Sequence, residues 1–574
     1  MPASRNLDLA RIFAEIADFL EIKQESTFRI NAYRRAARAL ESLGEDIATI
    51  AERGELRAVG GIGASLAEKI EEYLKSDVVA YHAELLRELP RGLSELMTLP
   101  EIGPKTARLL YEQLGIADVD ALERAARAGR IRGLPRMGAK TEANILLGIE
   151  RRRRQAARHP LGAVLPYAKA TVDALRRLPG VEALSLAGSI RRMRDTIADI
   201  DIVAATRAPE RVMDTFVGLP QVAQVLSRGT TRSSVILGRL GVQCDVRAVE
   251  PDAYGAALQY FTGSKDHNVQ LREMGVRRGL KINEYGVFRV ADDVRIAGQT
   301  EEEVYRALDL PWVPPEIREG HGELELAQRG SLPALVALGD IRGDLHMHTA
   351  WSDGQDTVEA MARAAKARGY EYVCVTDHSQ SLKFAGGVSV DALREHAGAV
   401  ARVSERTGIR VLIGAEVDIL ADGSLDYPDD VLASLDLVIG SVHTRMQMPR
   451  EALTQRIVRA LEHPHLDVLG HPTGRLIGER EPMDLDMEAV VEAARRTGTV
   501  LEINASPERL DLRDVHVRLA RDHGVLLEIG SDAHRKEHFA QMEYGVGTAR
   551  RGWVEAKDVI NTWPLGKLLI FLER

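Results

Sequence analysis

ALSLAGSIRRMRDTIADIDIV, residues 183–203, decides how the chain is to be read. Asp199 and Asp201 stand at i and i+2 among apolar, β-branched neighbours. On a strand both carboxylates then point to one face, as a metal site needs. Just upstream, Gly188-Ser189 closes an apolar strand and opens a basic segment, Arg191, Arg192 and Arg194. Such a turn can present backbone N–H groups to phosphate. A phosphate turn beside a carboxylate pair suits nucleotidyl transfer on Mg²⁺, for which Mn²⁺ can substitute, because the triphosphate and the attacking hydroxyl are both held on metal. Asp245 is the one carboxylate inside the apolar strand VQCDVRAV. Buried there it is costly unless paired or metal-bound, and a third ligand beside the pair explains it.

The remaining chain is large enough for several cores. At 574 residues and 45% hydrophobic it is expected to hold three or more domains. The net charge of −9 conceals an asymmetry: residues 101–300 carry 32 Lys and Arg against 22 Asp and Glu, whereas residues 331–574 carry 28 against 38. A basic middle and an acidic end mark two functions. Cys244 and Cys374 lie far apart in apolar runs, which indicates neither a disulfide framework nor a Cys zinc site and fits a reducing, cytoplasmic compartment. Charges interrupt every apolar run, so no membrane span and no membrane partner are expected.

Residues 1–85 read as helices, LARIFAEIADFLEI followed by INAYRRAARALESL with a basic face. VGGIGASLAEKI (59–70), LPEIGPKTARLL (99–110) and LPRMGAKTEANI (134–145) repeat one pattern: an apolar residue, a short turn ending in Gly, then a helix. Gly61, Gly63, Gly103 and Gly138 permit the tight turn, and the following helix N-terminus offers N–H groups to phosphate. These segments resemble helix-hairpin-helix elements, which implies DNA-backbone contacts at those glycines and at Lys105 and Lys140 beside them. The run Arg151–Arg154 with Arg158 extends the basic track.

Downstream of the opening stretch, GAALQYFTGSKDHNVQLREMGVRRGLKINEYGVF (255–288) joins the pair Tyr260-Phe261 to a Thr-Gly-Ser turn and a helix with Asn268 and Arg272 one turn apart. GSIRR, DIDIV, CDVR, YFTGS and INEY, in this order and spacing, resemble the family X DNA polymerases, the group containing DNA polymerase beta. The resemblance implies that Asp199, Asp201 and Asp245 are the catalytic, metal-binding aspartates. It also implies that Arg158, Gly188, Ser189 and Arg192 hold the incoming triphosphate. By the same resemblance Tyr260, Phe261 and Gly263 meet the sugar, and Asn268 and Arg272 meet the nascent pair in the minor groove. Lys265 stands where eukaryotic relatives usually have Asp beside the incoming base, which would tighten nucleotide binding before template is engaged. The N-terminal segment is similar to the family's lyase domain: Lys69 aligns with the Schiff-base lysine and Tyr33 lies in a matching NAYR stretch, but Ser65 replaces a neighbouring basic residue.

After Ile341 seven short apolar strands, IRGDLHMHT, YEYVCVTDH, IRVLIGAEVD, LDLVIGSVH, LDVLGHPT, GTVLEINAS and VLLEIGSDAH, end in polar residues, and most are separated by amphipathic helices. That is βα repetition closing into a barrel, with sites at the carboxyl ends of the strands. His346, His348, Asp353, His378, Glu416, His443, His471, Asp532 and His534 converge there, and nine such groups make a polynuclear metal site. A donor set without Cys suits two to three Zn²⁺, Mn²⁺ or Fe ions, which activate water and clamp a phosphate. The series resembles the PHP (polymerase and histidinol phosphatase) domain with every ligand of its trinuclear form present; Asp344, Asp377, Asp418 and Asn504 would support those ligands or touch substrate.

The expected architecture is multidomain α/β. Helical helix-hairpin-helix domains cover 1–85 (lyase-like) and 86–158 (fingers-like), and a polymerase beta-like nucleotidyltransferase palm covers 159–254. An α+β thumb follows at 255–318, a linker at 319–339 and a distorted (βα)7 PHP barrel at 340–574. The expected activity is short-gap filling on gapped or primer-template DNA with dNTPs, as a monomer, joined to a PHP-domain 3′→5′ exonuclease. Two rivals remain: a polymerase fused to a small-molecule phosphatase of the histidinol-phosphate type, and a non-catalytic DNA-end scaffold.

Overall fold

The computed structural model describes residues 2–42, 47–97, 99, 101–135, 137–156, 158–238 and 240–573, with backbone only for 2–5, 7, 41–42 and 150–156. The side chains of Arg151–Arg154 thus lie outside the described residues. The chain forms two compact units, Met1–Ala157 and Arg158–Arg574.

The described part of the first unit is helical around one apolar core that runs from Leu9 to Ile149. Local chemistry sets its helix ends. Pro104–Leu114 starts after Gly103 in an extended conformation, has Pro at its first position and stops at Gly115 in the left-handed region. Ala107 and Leu110, one turn apart, face the core.

In the second unit a five-stranded sheet has the order Val181–Leu186, Asp199–Thr206, Val242–Val249, Arg232–Leu237, Val222–Arg228. Only the Asp199–Thr206 and Val242–Val249 pair is parallel. Ile200 and Ile202 are buried in the core with helices Leu161–Arg176 and Pro209–Val217, which leaves Asp199 and Asp201 on the opposite face.

Helices Tyr254–Thr262 and Lys265–Arg277 come next, then a three-stranded antiparallel sheet, Leu280–Asn283, Gly286–Arg289 and Val294–Ala297. The segment 319–339, expected as a linker, differs from that expectation. Its helix Glu323–Gln328 buries Leu324 and Ala327 in the core of the preceding domain. Glu323 is also buried, accepting from His267 Nδ1 (2.7 Å) and from the N–H groups of Gly320 (2.8 Å) and His321 (2.7 Å). Glu323, in a segment that read as a linker, is here held by a partner 56 positions away.

The C-terminal domain is a seven-stranded parallel sheet in sequence order, from Gly343–Asp344 to Leu527–Gly530. Its edges approach each other where His348 N–H donates to Ala533 O (2.8 Å), so the barrel nearly closes. The seven strands fall in the seven apolar runs recognised in the sequence.

A buried ion-pair cluster joins the five-stranded domain to its neighbour. Glu301 accepts a two-pronged contact from Arg191 (2.8 and 2.7 Å), one from Arg318 (2.7 Å) and one from Trp312 Nε1 (3.0 Å). Burial opposes the Glu301 charge, but Arg318 and Arg191 outweigh it and hold the pKa down at about 2. Glu301→Ala leaves the fully buried Arg318 unneutralised and should cost about 3–5 kcal/mol in urea unfolding followed by Trp fluorescence. The stabilisation is fully present above pH about 4.5 and is lost as pH falls through about 2.

Candidate functional site

The strand Asp199–Thr206 brings Asp201 level with Asp245 on its parallel neighbour, with Asp199 two residues before. These carboxylates border a cleft of about 430 Å³. It is lined by Asp199, Asp201 and all ten of the residues expected to hold nucleotide: Arg158, Gly188, Ser189, Arg192, Tyr260, Phe261, Gly263, Lys265, Asn268 and Arg272. Asp245 stands behind the lining, accepting from Arg232 (2.9 Å) and Gln243 (3.0 Å). Burial first, then the charges of Asp199 and Asp245, push the Asp201 carboxyl up to about 7. Burial and Asp245 likewise raise Asp199. Buried, mutually repelling oxygen donors beside an open cleft fit a divalent cation such as Mg²⁺ or Mn²⁺.

Two glycines are required by this geometry. Gly188 has φ +61°, and a Cβ there would lie 2.6 Å from Asp201 Oδ2. Gly263 has φ +69°, and its Cβ would come within 3.2 Å of Arg192 Nη1. Both positions are strained for any other residue, and a side chain would press on the groups that shape the cleft. Arg158 is steered by Nε donating to Thr196 Oγ1 (2.8 Å). Asn268 is fixed between Tyr260 O and Gln259 Nε2, each at 2.7 Å. Lys265 is exposed at the N-terminus of its helix, which Ser264 caps.

All nine expected ligands of the barrel meet at the strand ends. Glu416 is their centre: Oε1 lies 2.7 Å from His471 and 3.3 Å from His443, and Oε2 lies 2.9 Å from His378 and 3.5 Å from both His346 and His348. Asp353 approaches His348 (3.8 Å), His378 (3.4 Å) and His534 (3.4 Å), and Asp532 approaches His348 (3.2 Å). Three overlapping groups of three or four donors are each tight enough for one ion. Imidazole and carboxylate donors fit Zn²⁺, Mn²⁺ or Fe.

Supporting contacts orient these ligands. Asp418 accepts from His443 Nδ1 (3.2 Å), turning Nε2 toward Glu416. Asn504 donates to Asp532 (3.1 Å), and Asp377 holds Thr349 N–H (2.8 Å) and Ser352 Oγ (2.6 Å) beside Asp353. Asp344 accepts from the N–H groups of His346 (3.3 Å) and Ser531 (3.1 Å). Sequence reasoning missed Glu502, which accepts His346 Nδ1 at 2.6 Å and the N–H of His471. A Glu alternating with Asn504 inside the apolar strand VLEIN was the available signal. Arg509 was missed too: its Nε lies 3.6 Å from Asp532, and its buried Nη1 has no hydrogen-bond partner among the described residues. Burial disfavours charge on His346, but Glu502, Asp532 and Glu416 raise its pKa well above the ordinary value. Burial and the neighbouring His378 and His534 instead lower His348 to about 3.

Comparison with known proteins matches each part of this arrangement. Family models match at residues 4–78 (helix-hairpin-helix domain), 93–151 (SAM-like helix-hairpin-helix tandem), 257–319 (DNA polymerase beta thumb) and 344–506 (PHP domain). The DNA polymerase/3'-5' exonuclease PolX of Bacillus subtilis (strain 168) is 39% identical over 569 residues, covering 99% of both chains. The chain belongs to the PolX family. The C-terminal part is also similar to probable phosphatases: one from Thermoanaerobacter sp. (strain X514) is 28% identical over 242 residues, 40% of this chain and 94% of the relative. Another, from Acetivibrio thermocellus, is 32% identical over 201 residues, 33% of this chain and 78% of the relative.

At the hairpin turns a glycine precedes each helix, as the repeated pattern predicts. Gly63 and Gly103 are extended residues before helices Ala64–Ser76 and Pro104–Leu114, and no side chain caps either N-terminus. Gly61, Gly63, Gly103, Lys105, Gly138 and Lys140 are exposed. Lys69 Nζ lies 3.4 Å from Ser65 Oγ and 5.8 Å from the Tyr81 ring centre. Arg29 reaches the same Tyr81, donating to its hydroxyl (3.0 Å), so a cation from another helix stands in the area where Ser65 offers none. Tyr33, at an edge of this group, is pushed up to about 12 by burial. Among the described residues no helix is long and apolar enough to cross a membrane.

The cleft is tied to the barrel. Arg192 donates to Glu319 (3.1 Å) and to Thr262 O (2.5 Å). Glu319 also takes Arg551 (2.8 Å), which donates to Arg192 O (2.8 Å) and to Asp514 (2.9 and 2.6 Å).

Below pH about 7 a cation entering the cleft must displace the proton of Asp201. Divalent-cation affinity should therefore fall as pH drops through about 7, with about one proton released per ion bound below that pH. Calorimetric titration in buffers of different ionisation heat, on a His346→Ala, His348→Ala protein, measures both.

Proposed function

We propose that this chain is a DNA-templated DNA polymerase that fills short gaps in DNA repair, base excision repair included, and that its barrel is a metal-dependent 3′→5′ exonuclease. The observation that carries the reading is one compact unit holding both a cleft lined by Asp199 and Asp201, with Asp245 behind them and the Gly188 turn beside them, and a centre of nine donors. Full-length similarity to a protein named DNA polymerase/3'-5' exonuclease supports it.

Divalent cations at the two centres supply Lewis acidity, toward triphosphate and primer 3′ hydroxyl in the cleft and toward phosphodiester and water in the barrel. The protein does the positioning. The turn at Gly188 and Ser189 offers N–H groups to the triphosphate, and Arg158, Arg192 and Lys265 add positive charge around it. Tyr260 and Phe261 pack edge to face at 5.2 Å and form a wall for the sugar, while Arg247 supports the Phe261 ring from 4.3 Å. Asn268 and Arg272 lie on the cleft wall in reach of the nascent pair. In the barrel, Glu502 and Asp418 hold His346 and His443 with Nε2 directed inward, and Arg509 supplies a cation for substrate phosphate. The exposed hairpin glycines with Lys105 and Lys140 take the DNA backbone. Lys69, beside Arg29 and Tyr81, serves as the lyase nucleophile of the first unit.

The similarity to probable phosphatases favours one second reading, in which the barrel hydrolyses small phosphomonoesters. A labelled 3′ end hydrolysed no faster than such an ester would favour it.

Asp199→Ala with Asp201→Ala should abolish primer extension and spare 3′-end degradation, and His346→Ala with His348→Ala should do the reverse. Both are read on one gapped duplex with and without dNTPs; extension by the double aspartate variant sinks the assignment. Lys69→Ala should remove any borohydride-trapped adduct with an incised abasic site and leave extension intact.

A further inference from the structure

Phe384 is 83% exposed at the rim of the barrel centre, and the activity described above gives it no task. Its loop, 379–388, leaves the ligand His378 and returns to it: Val388 N–H donates to His378 O (2.8 Å), and Ser379 N–H donates to the backbone O of Glu416 (2.9 Å). Ser381 N–H is held by Asp426 (2.7 Å), and the Tyr427 hydroxyl donates to Val388 O. A Cβ on Gly386 would lie 3.3 Å from Ser352 O, next to the ligand Asp353. The loop is thus pinned between three ligand-bearing strand ends. Its apolar side chains Leu382, Ala385 and Val388 are buried beneath it, whereas Phe384 stands outward.

An exposed aromatic ring on an ordered loop normally costs contact with water that burial would remove. The charges around it indicate what covers it. Lys383 adjoins it, Arg445 follows the ligand His443 by two residues, and Arg535 and Lys536 directly follow the ligand His534; all four are exposed. None of the described carboxylates forms an ion pair with Lys383, Arg445, Arg535 or Lys536. Yet residues 331–574 carry 38 acidic against 28 basic residues. Arg535 donates to His538 (2.9 Å), and cations next to ligand positions of an acidic domain, one of them adjoining an exposed aromatic ring, match a polyanion with flat hydrophobic faces.

We propose that Phe384 is a stacking platform for an unpaired base near the 3′ end of a DNA strand, and that Lys383, Arg445 and Arg535 take the adjoining phosphates. The platform makes the barrel select single-stranded DNA over small phosphoesters. This rests on the exonuclease reading of the same centre and goes beyond it by naming the residue that grips the strand.

The test compares the full-length protein with Phe384→Ala and Phe384→Trp in Mn²⁺ without dNTPs. Two single-stranded oligonucleotides are used, one ordinary and one with abasic residues at its last three internucleotide positions. On the ordinary strand Phe384→Ala should raise KM about tenfold with little change in kcat, and Phe384→Trp should retain the low KM. On the abasic strand the wild type and Phe384→Ala should share one raised KM, because no base is left to stack. An unchanged KM on the ordinary strand, or an equal loss on both strands, overturns the platform while leaving the exonuclease in place. If the wild type degrades neither strand yet hydrolyses p-nitrophenyl phosphate, the exonuclease reading falls and the platform falls with it.

Discussion

A buried carboxylate keeps its charge only beside positive charge, and the source of that charge divides this molecule into frame and working parts. Glu301 takes Arg191 and Arg318, and Glu319 takes Arg192 and Arg551. These acids are neutralised from within the chain. Among the described residues, no cationic side chain forms an ion pair with Asp199 or Asp201, and Glu416 meets only histidines. These three acids stay open to ions from solution, whereas Asp245 behind the cleft is paired with Arg232 and Asp532 faces Arg509.

The frame also explains why the two centres belong to one unit. Arg192 lines the cleft while its guanidinium is held by Glu319 and its carbonyl by Arg551, which is itself anchored on Asp514 of the barrel domain. Arg475 of the barrel reaches Asp195 of the five-stranded domain (3.0 Å). The groups that shape the cleft are therefore braced by the domain that carries the cluster around Glu416.

Much of both sites was legible along the chain because metal ligation and phosphate turns demand particular residues at short spacings. Asp199 and Asp201 at i and i+2, and histidines at the ends of apolar runs, are patterns that one strand determines alone. The helix-hairpin-helix turns were legible for the same reason, since glycine before a helix is a local requirement. The stretch 319–339 misled because its acids resemble a solvated connection, and only His267 on a distant helix shows that Glu323 is buried. Glu502 went unnoticed because its partner His346 lies 156 residues earlier. The cation near Lys69 comes from Arg29 on another helix rather than from position 65.

By itself the sequence determined which elements form, which donors they carry and the kinds of chemistry those donors can support, because backbone periodicity and ligand type are short-range properties. Only the tertiary structure decided which charges are spent inside the protein and which remain available. Arg191 meets Glu301 across 110 positions and Arg551 meets Glu319 across 232. Contacts of that span leave no periodic trace in the chain, since the closed core alone brings their side chains within hydrogen-bond distance.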